Sequence, residues 1–171
     1  MSINTAIAYQ GEKHLSSSIV KDLRRHVCSF TVLAYRYQIS LPHLLSPDLA
    51  KVRDLFLASG QELRNDIALL TRRIKALKGT PVSSVEEIED RSYLPVLLGE
   101  HFVLKETLRK QRKAEQRLGL LLGHTARLVR KRKDATTLDV INEVLGRSGA
   151  REVILSSLSF QTSPKSLQDP G

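Results

Sequence analysis

The apolar positions between residues 46 and 79 fall on one face of a helix. In SPDLAKVRDLFLASGQELRNDIALLTRRIKALKG, Leu49, Val52, Phe56, Leu63, Ile67, Leu70, Ile74 and Leu77 recur mostly three or four apart. Ser46 suits an N-cap, Pro47 the first helical position and Asp48 the positive end of the helix. Gly79 beyond the last apolar position, with Lys75 and Lys78 in the final turn, marks a stop. At 1.5 Å per residue such a helix is about 50 Å long. Helices of that length in a short chain pack beside others in a bundle.

The same spacing recurs on both sides. Ile19, Leu23, Val27, Phe30, Leu33 or Ala34, and Tyr37 predict a helix over 17–38, with Lys21, Asp22, Arg24, Arg25 and Arg36 on its other face. The link 40–45 is so short that these two helices must run antiparallel. KGTPVSS, residues 78–84, breaks the pattern. Ser84 followed by Glu87 is a capping-box signature, so a short helix over 85–90 belongs to a long crossover. A third long region, 95–133, carries Leu97, Leu104, Leu108, Leu118, Leu121, Leu122, Ala126 and Val129. Its Gly119 and Gly123 read as close packing against a neighbouring helix. After a capping turn over 134–137, Leu138, Ile141, Val144, Leu145, Val153, Ile154 and Leu158 predict a last helix. Gly146 and Gly149 weaken it by about 1 kcal/mol each relative to Ala, which predicts a kink or a close contact near Arg147. Residues 1–14 read as a flexible arm and 161–171 as a disordered tail. The fold class is therefore all-α: a four-helix bundle over 15–160, two helical hairpins joined by a crossover that carries a short helix.

A chain of 171 residues that is 41% hydrophobic can bury one core. No window holds the roughly 20 apolar residues of a membrane span, and residues 1–14 lack the pattern of a secretion signal, so a cytoplasmic setting is expected. Cys28 stands alone; no internal disulfide can form, and the thiol reads as a small apolar group packed in its helix. Charge changes the picture more. The net charge is +9 and the sequence pI about 9.9, a balance that favours polyanions. Nearly all of it sits in the third region. Lys105, Arg109, Lys110, Arg112, Lys113, Arg117, Arg127, Arg130, Lys131, Arg132 and Lys133 are eleven positives against three negatives, Glu100, Glu106 and Glu115. All but Arg117 are taken as nucleic-acid candidates, in the runs 105–113 and 127–133. Aromatics make up only 5% of the chain, which argues against base stacking.

Three stretches together resemble the Dps family of mini-ferritins, the DNA-protection-during-starvation proteins. They are LLTRRIKALKG at the end of the second helix, the short crossover helix, and KDATTLDVINEVL, in which Asp134, Thr137 and Asp139 stand in the places of a family pattern. The resemblance covers residues 15–160. It implies a ferritin-like bundle assembled into a hollow, cytoplasmic dodecamer, nucleoid-associated in some settings, that stores iron, oxidises Fe(II) and in some members coats DNA.

The family's iron site lies between two subunits. It uses a His late in the first helix, a His and an Asp four apart early in the second, and an Asp and a Glu four apart later in it. Spacing of i, i+4 puts ligand pairs on one helical face, and imidazole and carboxylate suit Fe(II). The matching positions here are Tyr37 or Gln38, then Arg53 and Leu57, then Ala68 and Arg72. None of the four in the second helix is an iron ligand, and two arginines would repel the cation. Glu62 and Asp66, with Asp54 nearby, read as a solvated surface, Asp66 paired with Arg73 or Lys75. His14, His26, His43, His101 and His124 are scattered and read as structural or exposed. The expectation is a cage subunit without the usual iron ligands and without a cofactor, acting as a structural or DNA-associated particle. The alternatives are a working mini-ferritin with an unusual inter-subunit iron site and a bundle that binds a protein partner.

Overall fold

The structure, a computed structural model, describes residues 3–97 and 102–161, with side chains described over 17–97 and 102–159. Five α-helices follow in order: α1 (Ile3–Ser40), α2 (Ala50–Ala76), α3 (Val85–Arg91), α4 (Leu104–Lys131) and α5 (Ala135–Gln161). Two contacts in each pair fix the directions. Tyr37 meets Phe56 and Val20 meets Gly79, so α1 and α2 are antiparallel. Gln116 bonds Glu152 while Gly119, further along α4, faces the earlier Leu145 of α5, so α4 and α5 are antiparallel too. Across the bundle, His26 faces Thr125 between α1 and α4, and Arg73 faces Asp134 between α2 and α5. The core is one cluster, with Leu23, Phe30, Leu33, Leu63, Leu70, Leu108, Leu118, Leu122 and Val144 fully buried. Four long helices with a short helix in the crossover make the all-α bundle that the sequence predicts.

The ends of the elements differ from the sequence reading. The first helix starts at Ile3 rather than at residue 17; the expected arm lies mainly outside the residues whose side chains are described, and the expected tail lies outside the described residues from 162 on. Ser46 makes no side-chain cap bond. Pro47–Leu49 form a 3-10 turn, and α2 starts at Ala50. At the other end of α2 the left-handed residue is Lys78 (φ 57°), not Gly79. The Gly79 amide donates to the Ile74 carbonyl and that of Lys78 to Lys75, closing a Schellman motif. Gly79 serves packing instead: a Cβ there would stand 2.5 Å from a Val20 methyl carbon.

The crossover is held down on α1. The Glu87 amide donates to Ser84 Oγ (3.2 Å), half of the expected capping box. The Glu87 carboxylate is taken by Arg24 and by Arg91 (3.3 Å) instead of closing the other half. Beyond α3 the described residues 95–97, 102 and 103 are not helical, where the sequence reading began the third long helix at 95. The Tyr93 amide donates to Ser29 Oγ (2.8 Å) and Arg36 to the Pro95 carbonyl, so α4 starts only at Leu104. Asp134 caps α5 through the Thr137 amide (3.0 Å) and the Thr137 hydroxyl, so this helix starts at Ala135. The helix runs through Gly146 and Gly149 without a break, and a Cβ at either would meet nothing within 4 Å. The expected close packing at Gly119 and Gly123 is also absent. A Cβ at Gly123 meets nothing within 4 Å and one at Gly119 only Leu145, at 3.9 Å.

Candidate functional site

The residues singled out in the sequence separate into an outward strip on α2, a basic face on α4 and a polar centre inside the bundle. Leu57, Ala68 and Arg72 are exposed and Arg53 is half-buried; successive steps of four and eleven keep them on one side of α2. Arg53 lies 3.9 Å from Asp54, an exposed pair. Gln38 is exposed near the end of α1, whereas Tyr37 turns the other way and is fully buried, its ring edge-on to Phe56 at 4.9 Å. The two readings of the first-helix position therefore differ: one side chain lies in the core and the other in solvent.

The sequence reading put Glu62 and Asp66 on a solvated surface; Glu62 does reach the surface, and the structure corrects the reading for Asp66. Asp66 is fully buried and pairs with α5, not with Arg73 or Lys75. Its Oδ1 accepts from Arg147 (2.6 Å) and its Oδ2 from Arg151 (3.3 Å). Arg151, itself buried, also donates to Glu115 Oε1 (2.6 Å) and reaches Glu62 (3.1 Å) at the surface. Glu115 accepts further from Ser148 (2.7 Å) and Tyr37 (3.3 Å). One polar group from each long helix thus meets at one level, around a guanidinium. Burial raises the carboxyls of Asp66 and Glu115 above their ordinary values, and the arginines pull the other way. Arg73 pairs with Asp134 (3.0 Å) and donates to Thr137 (2.7 Å). Partial burial pushes the Asp134 carboxyl up, but its bonds from Thr137 and Arg73 hold it below the usual range. Among the described residues, no three His, Cys, Asp or Glu side chains gather as a metal site would require.

His26 is buried between α1 and α4. The Thr125 hydroxyl donates to the Leu121 carbonyl (3.2 Å), so its oxygen accepts from His26 Nε2 (2.9 Å). That leaves His26 Nδ1 as a buried acceptor without a partner. Burial, then the nearby Arg25, lowers its pKa to about 4. His43 is exposed and stacks on Phe102 at 4.8 Å, and His124 is exposed on α4. The side chains of His14 and His101 lie outside the described residues. Cys28 is buried, and burial raises its thiol to about 11, which leaves it unreactive.

The basic residues behave as a face. Lys105, Arg109, Lys113, Arg127, Arg130 and Lys131 are exposed along α4, and Lys133 is exposed just past its end. Lys110, Arg112 and Arg132 are half-buried; Arg132 reaches Ser18 on α1 at 3.3 Å. Arg117, outside the two runs, is exposed as well. One acid, Glu106, is exposed on this helix and is paired with Arg109 (2.6 Å). Glu115 points into the bundle, so it does not dilute the face. The helix is about 42 Å long at 1.5 Å per residue.

No protein-family model matches the sequence, and no curated protein does. Solved structures match the fold. The Dps of Thermosynechococcus elongatus superposes with a TM-score of 0.81 at 17% identity, over 91% of this chain and 97% of that one. Antigen TpF1 of Treponema pallidum gives 0.80 at 18%, over 85% and 94%. A dodecameric thioferritin of Bacteroides fragilis, described as bacterioferritin-related, gives 0.80 at 20%, over 85% and 86%. The chain has the ferritin-like fold of these proteins.

Proposed function

We propose that the chain is a subunit of a ferritin-fold cage that serves as a structural, DNA-associated particle, without the usual iron ligands. The observation that carries the reading is the face of α4: seven exposed cations on a single helix, six of them in the two basic runs, against one exposed acid. Such a face neutralises phosphates without reading bases. The shortage of aromatic side chains fits backbone contact rather than stacking. The strip at 53, 57, 68 and 72 offers two guanidiniums, a leucine and an alanine, none of which ligates iron. The thioferritin of like fold is a dodecamer. In a twelve-fold particle the α4 faces repeat, and modest single contacts add up.

The test is gel retardation of duplex DNA of unrelated sequences over a salt series. Binding should be indifferent to sequence and fall steeply with salt. The triple variant Lys113→Glu, Arg127→Glu, Lys131→Glu should keep the fold, because all three are exposed, and should lose the retarded band. Retardation unchanged in that variant would remove α4 from the reading; no retardation at low salt would remove DNA.

A further inference from the structure

The outward stripe of α4 has a gap in its charge. Lys113, Arg117, Leu120, His124, Arg127 and Lys131 recur three or four apart and are all exposed, so they share one face of the helix. Neighbouring cations at either end of this stripe are four residues apart, about 6 Å along the axis. Between Arg117 and Arg127 there is no lysine or arginine, a span of about 15 Å. Leu120 and His124 occupy it, and of the two only His124 can carry a charge. Histidine is the side chain whose charge changes between about pH 5 and 8. Among the described residues His124 makes no hydrogen bond or ion pair, so its ring is open to a ligand. On α4 itself Arg127 stands one turn further on. The charged groups of the neighbouring helices are few. Beside the His26–Thr125 contact α1 brings Asp22 and Arg25, and Arg25 lies over the Tyr93 ring at 5.1 Å. In the antiparallel register that sets Gly119 by Leu145, α5 brings Asp139 and Glu143 to this level, and Glu143 is held by Arg147 at 2.7 Å.

We propose that His124 makes DNA binding by the α4 face acid-responsive: its imidazolium closes the gap between Arg117 and Arg127 and adds a phosphate contact. The inference rests on the DNA reading of α4 and supplies its regulation. A phosphate beside the ring favours the charged form, so binding takes up a proton, and by linkage a lower pH tightens binding. The window from pH 7.5 to 5.5 lies above the range in which carboxylates ordinarily titrate.

The experiment is gel retardation of one DNA duplex by the full chain over a salt series, at pH 7.5 and at pH 5.5. Far-UV circular dichroism at both values confirms that the helices persist. Binding at pH 5.5 should be about fivefold tighter at equal salt. The plot of log K against log salt should steepen by about 0.9 for each subunit engaged. His124→Gln should give one affinity and one slope at the two pH values. His124→Lys should bind at both as the parent binds at pH 5.5. His43→Gln, at an exposed histidine just past α1, should respond as the parent does. Retardation by the parent that is equal at the two pH values, or a response that survives in His124→Gln, overturns this proposal and leaves the DNA reading standing. No retardation at either pH overturns both.

Discussion

Two positions show that single residues here work through what surrounds them. His26 must stay neutral: its one free nitrogen is buried with no partner, and its pKa of about 4 lies below the 6.5 of the unfolded chain. Between those values the unfolded state binds a proton that the folded state refuses, so stability falls as pH drops from about 6.5 to about 4 and is fully present above. The loss is on the order of 3 kcal/mol. Thermal melts from pH 7.5 to 4 should show this slope, and His26→Gln should flatten it; an equal slope in the variant would place the titration elsewhere. The end of α2 makes a second case. Lys78 holds the left-handed conformation that glycine favours, while the glycine beside it makes room for Val20. Lys78→Gly should therefore stabilise by about 1 kcal/mol. Gly79→Ala should destabilise by about 1–3 kcal/mol, because a β-branched neighbour cannot swing away. Melts of the two variants moving the same way would contradict this division. The sequence shows a glycine at the stop but not which of two adjacent residues turns, since that depends on α1, nearly 60 positions away in the chain.

Elements are tied together by Arg151, which joins α5 to α2 and α4 through Asp66 and Glu115. Arg151→Met should cost about 3–5 kcal/mol, because it leaves the buried Glu115 carboxylate without a cation and Asp66 with Arg147 alone. Chemical denaturation at pH 7 measures it, and a loss under 1 kcal/mol would mean that the lock is carried by Arg147 alone. The helices and their order were legible because apolar periodicity reports burial directly. The polar centre was not, although its signal was present. Asp66 stands in register between Leu63 and Leu70, Glu115 between Leu108 and Leu118, and Arg151 between Val144 and Leu155. A charge on the core face of three helices is the mark of a buried ion pair. Read helix by helix, each looks like surface, and only packing shows that the three lie at one level. The glycines misled for a related reason. A pair four apart permits a close neighbour, but Gly119 and Gly123 face a gap, because Gly149 on the opposite helix is also bare.

At the scale of the whole molecule, the fold and the chemistry can be separated by experiment. A ferritin-fold subunit that assembles as the dodecameric thioferritin does would form a particle of roughly 230 kDa, twelve copies of 19.2 kDa, readable by mass photometry. Iron chemistry is the independent axis. Fe(II) needs oxygen or imidazole donors held without a competing positive charge. On the outward strip of α2, Arg53 and Arg72 supply the charge, and Leu57 and Ala68 supply no donor. Inside the bundle, the carboxylates of Asp66 and Glu115 already hold Arg151. The metal-free protein should accordingly oxidise Fe(II) no faster than buffer, with oxygen or with peroxide. Arg53→His, Leu57→Asp, Ala68→Asp and Arg72→Glu combined remove both charges and add four donors at exposed or half-buried positions, so the fold should tolerate them. Oxidation by this variant above the parent would locate the missing chemistry on that strip. Oxidation by the unaltered protein that saturates at a few irons per subunit would instead mean a ligand set built between subunits, and Glu62 and Asp54, the carboxylates of α2 that reach solvent, are where to look for it.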